Sequence, residues 1–240
     1  MTCRFLKYRF VVLSAMLLAS QSLWASLTPY ESHYVLMQDD DRVGSASRVL
    51  TKTENNQWRM ETKSKAKLFF VRIIMNQTTD FEFNDGIITP LNFSQLSDTG
   101  ISSERRMTQH FDWDAGKDIG KYKGKPWSRD LNKGSYSRVT DVIQFQEQLK
   151  AANEPIPEAS FEINYRGNAK TESYIFEARE DVTTPSGTYS SLKYKKLHSN
   201  PDRVSYFWFV PELNYIPVRI QQLHTGKEQA NMLLKTIQFN

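Results

Sequence analysis

The stretch ERRMTQHFDW, residues 104–113, decides the fold class, because apolar and polar residues alternate along it. Met107, Phe111 and Trp113 fall on one face of an extended chain, and charged or polar residues dominate the other face. A period of two is typical of an antiparallel strand that turns one face to a core and the other to water. The stretch therefore predicts a β-strand with these three apolar side chains on its inner face.

The same alternation recurs along the chain in short runs rich in aromatic and β-branched residues. These runs lie around residues 57–66, 80–84, 161–166 and 174–179, and the C-terminal run 232–239 is predicted to be the last strand. Residues that tolerate turn geometry separate the runs, and the clearest of these turns are 84–86, 98–100 and 184–187. The pattern predicts a mainly β, antiparallel fold.

One segment is predicted to be a helix. Asp141 is a candidate N-cap, with Gln144 three residues later, and the helix should end before Pro155. The apolar residues at helical spacing are Val142, Phe145 and Leu149. We expect this apolar stripe to pack on the sheet.

The N-terminus has the pattern of an export signal. Arg4, Lys7 and Arg9 precede an apolar stretch at residues 10–19, and Ala25 ends an acceptable cleavage site. The apolar stretch is shorter than the roughly 18 residues that span a bilayer. We therefore expect residues 1–25 to be a cleaved signal peptide and residues 26–240 to be a single antiparallel β domain in the periplasm, with no transmembrane anchor after cleavage.

Removal of this leader changes the charge argument. The whole chain has 31 Lys and Arg, 27 Asp and Glu and a pI near 9.0, but the leader carries three of the basic residues and no acidic one. The balance that remains is near neutral, so no nucleic-acid partner is expected. The single cysteine, Cys3, lies in the leader, which leaves no disulfide or cysteine metal site in the expected mature chain.

The order of several short motifs resembles the domain-of-unknown-function 3108 family of bacterial envelope proteins. The motifs are Val43-Gly44, Phe111-Asp112-Trp113, Asp141 at the start of the helix, the turn 184–187, and the aromatic strand 207–209 followed by 215–220. The resemblance implies an architecture similar to the periplasmic lipoprotein carrier and outer-membrane lipoprotein receptor folds. That architecture is a curved antiparallel sheet or incomplete β-barrel, with one or two short helices packed on it and an apolar cavity. The family brings no catalytic residues to transfer.

The chain has no sequence pattern of a catalytic or metal site, and no cofactor is expected. It lacks a Gly-x-Ser-x-Gly elbow and a His-Glu-x-x-His helix, and its four histidines are dispersed. Residues 120–125 do not match a phosphate-binding loop, because Pro126 stands where Ser or Thr is required. We therefore expect a protein that is not an enzyme. A hydrolase of envelope polymers ranks last among the hypotheses, with Glu104 and Asp112 as its candidate carboxylates.

The leading hypothesis is a binding protein for an apolar or amphipathic ligand, such as a lipid or a lipoprotein. Large apolar residues stand on both faces of the segment 68–75, which predicts either a fully buried strand or a strand with one face lining a cavity. Residues 206–209 present the same choice, with Tyr206 and Trp208 on one face and Phe207 and Phe209 on the other. The candidate ligand contacts are Phe70, Met107, Phe111, Trp113, Tyr206 and Trp208.

The alternative hypothesis is an interaction or regulatory module that grips another envelope protein. Residues 117–133 are predicted to form a basic loop, which could meet an acidic partner or an anionic surface. The candidate contacts are Lys121, Lys123, Lys125, Trp127 and Arg129. An open sheet edge would serve the same purpose by strand addition.

Overall fold

The computed structural model describes residues 27–39, 41–68 and 70–240, so the predicted leader lies outside the described residues. The described residues form a mainly β fold with one α-helix, α1 (Thr140–Ala152), and two short 3-10 turns, Glu54–Asn56 and Pro211–Leu213. The strands are β1 (Tyr30–Gln38), β2 (Asp41–Lys52), β3 (Trp58–Leu68), β4 (Val71–Asn84), β5 (Ile87–Asp98), β6 (Arg105–Asp112), β7 (Lys117–Tyr122), β8 (Lys125–Asp130), β9 (Ser135–Tyr136), β10 (Glu158–Tyr165), β11 (Asn168–Thr184), β12 (Gly187–Leu197), β13 (Arg203–Val210), β14 (Ile216–His224) and β15 (Lys227–Phe239).

These strands form one sheet in the order β8-β7-β6-β5-β4-β3-β2-β1-β15-β14-β13-β12-β11-β10-β9. Neighbouring strands are antiparallel, except for the short parallel pair of β9 with β10. The first strand pairs with the last, from Tyr30 opposite Phe239 to Met37 opposite Asn231. This single pairing joins the N-terminal series β1 to β8 with the C-terminal series β9 to β15.

Tight hairpins connect most neighbouring strands. At the predicted turn between β4 and β5, Asp85 and Gly86 have φ values of 52° and 80°, as a two-residue type I′ turn requires. Lys123 and Gly124 form the same kind of turn between β7 and β8, with φ values of 49° and 81°. The segment 117–133, predicted to be a loop, is therefore mostly a β-hairpin, because its turn residues permit the tight reversal that pairs its two halves.

The sheet is curled but does not close into a barrel. Strands β6 and β10 are far apart in the strand order, yet the Gln109 side-chain amide donates to the Asn164 carbonyl at 3.2 Å. Trp127 of β8 packs on the turn between β10 and β11, where a Cβ on Gly167 would lie 2.8 Å from Trp127 Cγ. Side chains, rather than a continuous backbone ladder, thus bridge the gap between the two ends of the sheet.

Helix α1 lies inside the curled sheet and is buried around most of its circumference. Phe145 is fully buried against four aromatic rings of the sheet, and its ring centroid lies 4.4 Å from that of Tyr174. The other three rings are those of Phe161, Tyr194 and Phe209. The predicted apolar stripe therefore packs on the sheet as expected.

The start of α1 differs from the prediction. The N-cap is Val139, and the buried carboxylate of Asp141 binds side chains of the sheet instead of capping the helix. Gln144 also does not form a capping box, because its side chain accepts from the Ile88 N–H at 2.7 Å and donates to the Gly86 carbonyl at 3.0 Å. Both polar side chains satisfy groups that the fold places around the helix.

Polar side chains on different faces of α1 contact turns at one end of the curled sheet. Gln144 binds the turn between β4 and β5, and Gln146 donates to the Asn214 carbonyl, between β13 and β14, at 3.1 Å. The Tyr215 hydroxyl donates to Asn153 Oδ1 at 3.4 Å, just past the end of the helix. These contacts place α1 at the end of the sheet where the chain passes from β4 to β5 and from β13 to β14.

Replacement of Phe145 by alanine should destabilise the fold by about 3–5 kcal/mol, because it leaves a cavity among four aromatic rings. Urea unfolding followed by tryptophan fluorescence measures the change. Ile101→Ala is the control, since this side chain is 78% exposed and should change stability by no more than about 0.5 kcal/mol. Equal effects of the two substitutions would contradict the central position of Phe145.

Deletion of the residues after Leu233 should abolish soluble, cooperatively folded protein. It removes most of the pairing between β1 and β15, together with the fully buried Leu234, and a large buried side chain contributes about 1.5–3 kcal/mol. The soluble fraction and the urea transition measure the effect, with deletion of Asn240 alone as the control. A truncated chain that stays soluble and unfolds cooperatively would contradict this role for β15.

Candidate functional site

The interior of the curled sheet remains open at the end opposite the contacts of Gln144 and Gln146. A cavity of about 270 Å³ lies there, between the inner face of β1 to β4 and that of β14 and β15. Gln38 at the end of β1, Leu68 at the end of β3 and Gln229 near the start of β15 mark its position. The helix therefore fills one end of the interior, and the cavity occupies the other.

The cavity is mainly apolar, with a few uncharged polar groups. Three methionines contribute to it, and their unbranched side chains adapt to ligands of different shape. Its apolar lining consists of Leu36, Met37, Val43, Ala66, Leu68, Ile73, Met75, Ile220, Ala230 and Met232. Its polar lining consists of Gln38, Ser64, Gln222 and Gln229. A site of this composition holds an apolar group and offers amide groups for orientation.

Strand alternation explains why β4 contributes Ile73 and Met75 to this cavity. Both residues face inward, whereas Ile74 lies in a groove on the other side of the sheet with Lys63 and Lys65. The turn between β3 and β4 divides the apolar run at 68–75, and its part in β4 has one face in the cavity and one on the outer surface. Phe70 stands at the turn between β3 and β4 and is fully exposed.

The structure distributes the six predicted ligand contacts over three places. Met107 and Phe111 are buried in the core beneath β5 and β6, with Trp113 packed against them. Trp208 is buried with Tyr206 packed beside it, on the opposite face from Phe207 and Phe209. None of the six residues lines the 270 Å³ cavity. The sequence feature that pointed to this cavity was the segment 68–75, which is apolar on both faces. The methionines of β1 and β15 also line the cavity, but no sequence pattern marks them as cavity residues.

The five predicted partner contacts lie on or beside the hairpin of β7 and β8. Lys121, Lys123, Lys125 and Arg129 are exposed, whereas Trp127 is half-buried and donates from its indole N–H to Asp118 Oδ1 at 3.1 Å. The hairpin forms one edge of the sheet. Pro126 in the edge strand lacks an N–H and the lysines carry charge, and both features oppose pairing with an added strand.

The carboxylates of the hydrolase hypothesis lie at opposite ends of β6, with Glu104 just before its first residue and Asp112 at its last. Seven residues lie between Glu104 and Asp112, which corresponds to about 26 Å along an extended strand. Glu104 pairs with Arg106 at 2.5 Å, and Asp112 Oδ1 accepts from the Ala115 N–H at 2.9 Å. The fold does not bring them together as an acid/base pair.

A buried ion-pair network connects the start of α1 to the C-terminal strands. The Lys196 ammonium donates to Asp141 Oδ2 and to Glu172 Oε2, the latter at 3.1 Å. The Tyr174 hydroxyl donates to Asp141 Oδ2 at 2.9 Å, and His198 Nδ1 lies 3.0 Å from Glu172 Oε2. Glu172 can only accept, so Nδ1 carries the proton of a neutral imidazole, and Nε2 accepts from the Ser205 hydroxyl at 2.8 Å.

The network shifts the pKa values of its members. Burial alone raises the pKa of Glu172, but the hydrogen bond with His198 and the charge of Lys196 outweigh it and lower the pKa to about 2. Burial lowers the pKa of His198, and burial together with the Asp141 charge raises that of Tyr174 well above its ordinary value. These groups largely satisfy one another, which fits a role in positioning α1.

The part of the chain that the structure describes contains no group of three or more His, Cys, Asp and Glu side chains arranged to hold a metal ion. Within the same residues, no helix is long and apolar enough to cross a bilayer.

The sequence model of a protein family of unknown function, DUF3108, matches residues 30–234, and the chain belongs to this family. A comparison with curated proteins finds no match. Among solved structures, the fold is similar to a β-barrel-like protein of the domain of unknown function DUF1849 from Brucella abortus. That similarity has a TM-score of 0.59 at 13% identity over 89% of this chain and 98% of the other.

A second solved structure is a protein from Bacteroides fragilis described as exported and as having a YmcC-like fold. It matches with a TM-score of 0.33 and 14% identity over 88% of this chain and 94% of the other.

Replacement of Lys196 by methionine should destabilise the protein by about 3–5 kcal/mol, because it leaves two buried carboxylates without their shared cation. Lys195→Met is the matched control, since Lys195 is the neighbouring residue on the opposite face of β12 and takes no part in the network. Chemical unfolding of both variants measures the difference. Equal stabilities would contradict a structural role for the network.

Acid should weaken the fold in two stages. The pKa of His198 is below its ordinary 6.5 in the folded state, so stability is complete above pH 6.5 and falls as the unfolded chain takes up a proton. The pKa of Glu172 falls from 4.5 to about 2 on folding, so its contribution is lost as pH falls from about 4.5 towards 2. Urea midpoints measured across this range should decline in both windows. His198→Gln should remove the first decline and, because the hydrogen bond with His198 helps to lower the pKa of Glu172, it should also reduce the second. If the loss of stability just below pH 6.5 persists in His198→Gln, another group is responsible for it.

Proposed function

We propose that this protein is a non-enzymatic periplasmic binding protein that holds the apolar part of an envelope ligand, such as a lipid or a lipoprotein, at the open end of its sheet. The observation that supports the proposal is the 270 Å³ apolar cavity opposite the helix-filled end. Its volume is near the lower limit of about 300 Å³ for small-molecule sites, which suits one chain or ring better than a large molecule. The expected export signal and the expected mature chain without cysteine fit the same compartment.

The residues of the cavity favour binding over catalysis. The cavity carries no ionised side chain among its lining residues, so it offers no acid, base or charged nucleophile to a bound ligand. The titratable groups that come together, Asp141, Glu172, Lys196 and His198, are outside it and are bound to one another. Contacts with methionine and aliphatic side chains would hold a flexible apolar group without chemical change.

Substitution of both Ile73 and Met75 by glutamine should weaken the binding of an uncharged fluorescent probe, N-phenyl-1-naphthylamine, by at least about tenfold. A tenfold loss of affinity corresponds to about 1.4 kcal/mol of binding free energy. The burial of one large apolar side chain contributes more than this, so the replacement of two apolar cavity residues by glutamine is sufficient. Fluorescence titration of the mature protein measures the dissociation constant.

Ile74→Gln is the matched control, because this residue belongs to the same strand but lies on the outer face. It should leave probe binding unchanged. If it weakens binding as much as the double variant, or if the wild-type protein binds no probe, the assignment of the cavity is wrong.

Native mass spectrometry of the mature protein, purified from its own periplasm and followed by organic extraction, tests the ligand class. A discrete lipid-like mass that is absent from the Ile73→Gln, Met75→Gln variant would support the binding function. An empty monomer would count against it. A bound protein that is lost after charge reversal at Lys121, Lys123 and Lys125 would favour the interaction hypothesis instead.

A further inference from the structure

A second pocket, of about 220 Å³, lies beside the start of α1 and carries a cluster of cations. It is formed by the segment before the helix, the end of β10, the start of β11 with the turn between them, and the turn between β12 and β13. Its lining consists of Arg138, Ile163, Tyr165, Arg166, Asn168, Lys170, Glu172 and Ser199. Three cationic side chains and four neutral residues thus surround one carboxylate.

Aromatic rings hold the two guanidinium groups in place. Arg138 Cζ lies 3.8 Å from the centroid of the Tyr165 ring, and Arg166 Cζ lies 3.8 Å from that of Tyr122 and 4.6 Å from that of Tyr165. A guanidinium stacked on a ring keeps its N–H donors at its edge, where they can bind an anion. Among the described residues, no carboxylate lies within salt-bridge distance of Arg138, Arg166 or Lys170.

The carboxylate in the pocket, Glu172, offsets only part of the charge of these cations. Its Oε2 already receives the Lys196 ammonium at 3.1 Å and lies 3.0 Å from His198 Nδ1. Lys196 also binds Asp141, so the two buried carboxylates and this one ammonium leave a single negative charge beside three cations. The pocket therefore keeps an excess of positive charge.

A further cation adds to this excess. Arg203 is half-buried and donates to Gln222 Oε1 at 3.3 Å, which is a neutral partner. Burial lowers the pKa of Arg203, and the neighbouring positive charge of Arg138 lowers it further, whereas the charge of Glu172 opposes both effects in part. An anion bound between the cations would relieve the repulsion between Arg138 and Arg203.

We propose that Arg138, Arg166 and Lys170 form a binding site for a phosphate group. The two guanidinium forks match the tetrahedral oxygens of phosphate, and a dianion compensates more of the excess charge than a carboxylate does. Tyr165 is a positioning residue, because it holds both guanidinium groups. Asn168 and Ser199 supply neutral donors at the same pocket.

This site lies at the same end of the sheet as the apolar cavity. Gln222 lines the cavity and accepts from Arg203, whose guanidinium group is near that of Arg138 in the second pocket. Free phosphate and the phosphate headgroup of a lipid offer the same chemistry to the cations. The phosphate site does not depend on the proposed function, since it requires only the cations around Tyr165.

Isothermal titration of the mature protein with inorganic phosphate tests the site. The wild-type protein should bind it with a dissociation constant of about 1 mM or lower. Arg138→Gln and Arg166→Gln should each weaken binding at least tenfold. Arg129→Gln is the control for the loss of one exposed positive charge, and it should leave the affinity unchanged.

Two further variants separate the site from a general loss of structure or charge. Arg138→Lys keeps the charge but removes the fork, and Tyr165→Leu keeps all cations but removes the stacking. Both should weaken phosphate binding while leaving N-phenyl-1-naphthylamine binding intact. Absence of phosphate binding in the wild type, or equal affinity of the wild type and Arg138→Gln, would overturn the proposal, whatever the result with the uncharged probe.

Short-chain phosphatidic acid, compared with free phosphate and with diacylglycerol of the same chain length, identifies the source of the phosphate. One ligand that spans both pockets is supported by two results together. The wild-type protein binds phosphatidic acid more tightly than free phosphate, and in the Ile73→Gln, Met75→Gln variant the affinity for phosphatidic acid falls to that for free phosphate. Equal affinity for phosphatidic acid and free phosphate supports a separate anion site. Diacylglycerol binding that matches phosphatidic acid, with no effect of Arg138→Gln on either, counts against the site.

Discussion

The packing of Phe145 against aromatic rings of β10 to β13 determines where the interior of this protein is filled and where it stays open. A sheet of this width curls because each strand twists relative to its neighbours, and the curl encloses more space than the strands' own side chains fill. Helix α1 fills that space beside the turns between β4 and β5 and between β13 and β14, and its start reaches Lys196 near the end of β12. The short cavity beside Met75 and Met232 is the part of the interior that the helix does not reach.

The buried ion-pair network fixes the helix in this position at an energetic cost. Burial of Asp141, Glu172 and Lys196 removes three ions from water, and their mutual attraction with the hydrogen bonds from Tyr174 and His198 offsets that cost. A network of this kind favours one arrangement strongly, because a shifted helix would leave a buried charge without a partner. The network holds α1 in position on the sheet. The apolar cavity and the arginines around Tyr165, by contrast, are accessible to ligands.

The open end of the sheet is chemically asymmetric. Strands β1 to β4, β14 and β15 contribute aliphatic and methionine side chains, whereas the segment before α1 and the turn between β10 and β11 contribute guanidinium groups. The hydrogen bond between Arg203 and Gln222 lies where these two regions meet. An apolar group and an anionic group of one molecule would find complementary surfaces at this end.

Although it assigned the hairpin of β7 and β8 to a loop, the sequence alone predicted many of the strands, several of their tight turns and the one helical segment. These features depend on residues that are close together along the chain, such as the alternation at 104–113 and the turn at Asp85 and Gly86. It also singled out the run at 68–75 as a candidate cavity wall. The tertiary structure alone decided that Asp141 binds Lys196 instead of capping α1, and that Met107 and Phe111 belong to the core. It also decided that methionines of distant strands line one cavity. The physical reason is that burial and charge pairing depend on contacts between residues far apart in sequence, which a local pattern does not specify.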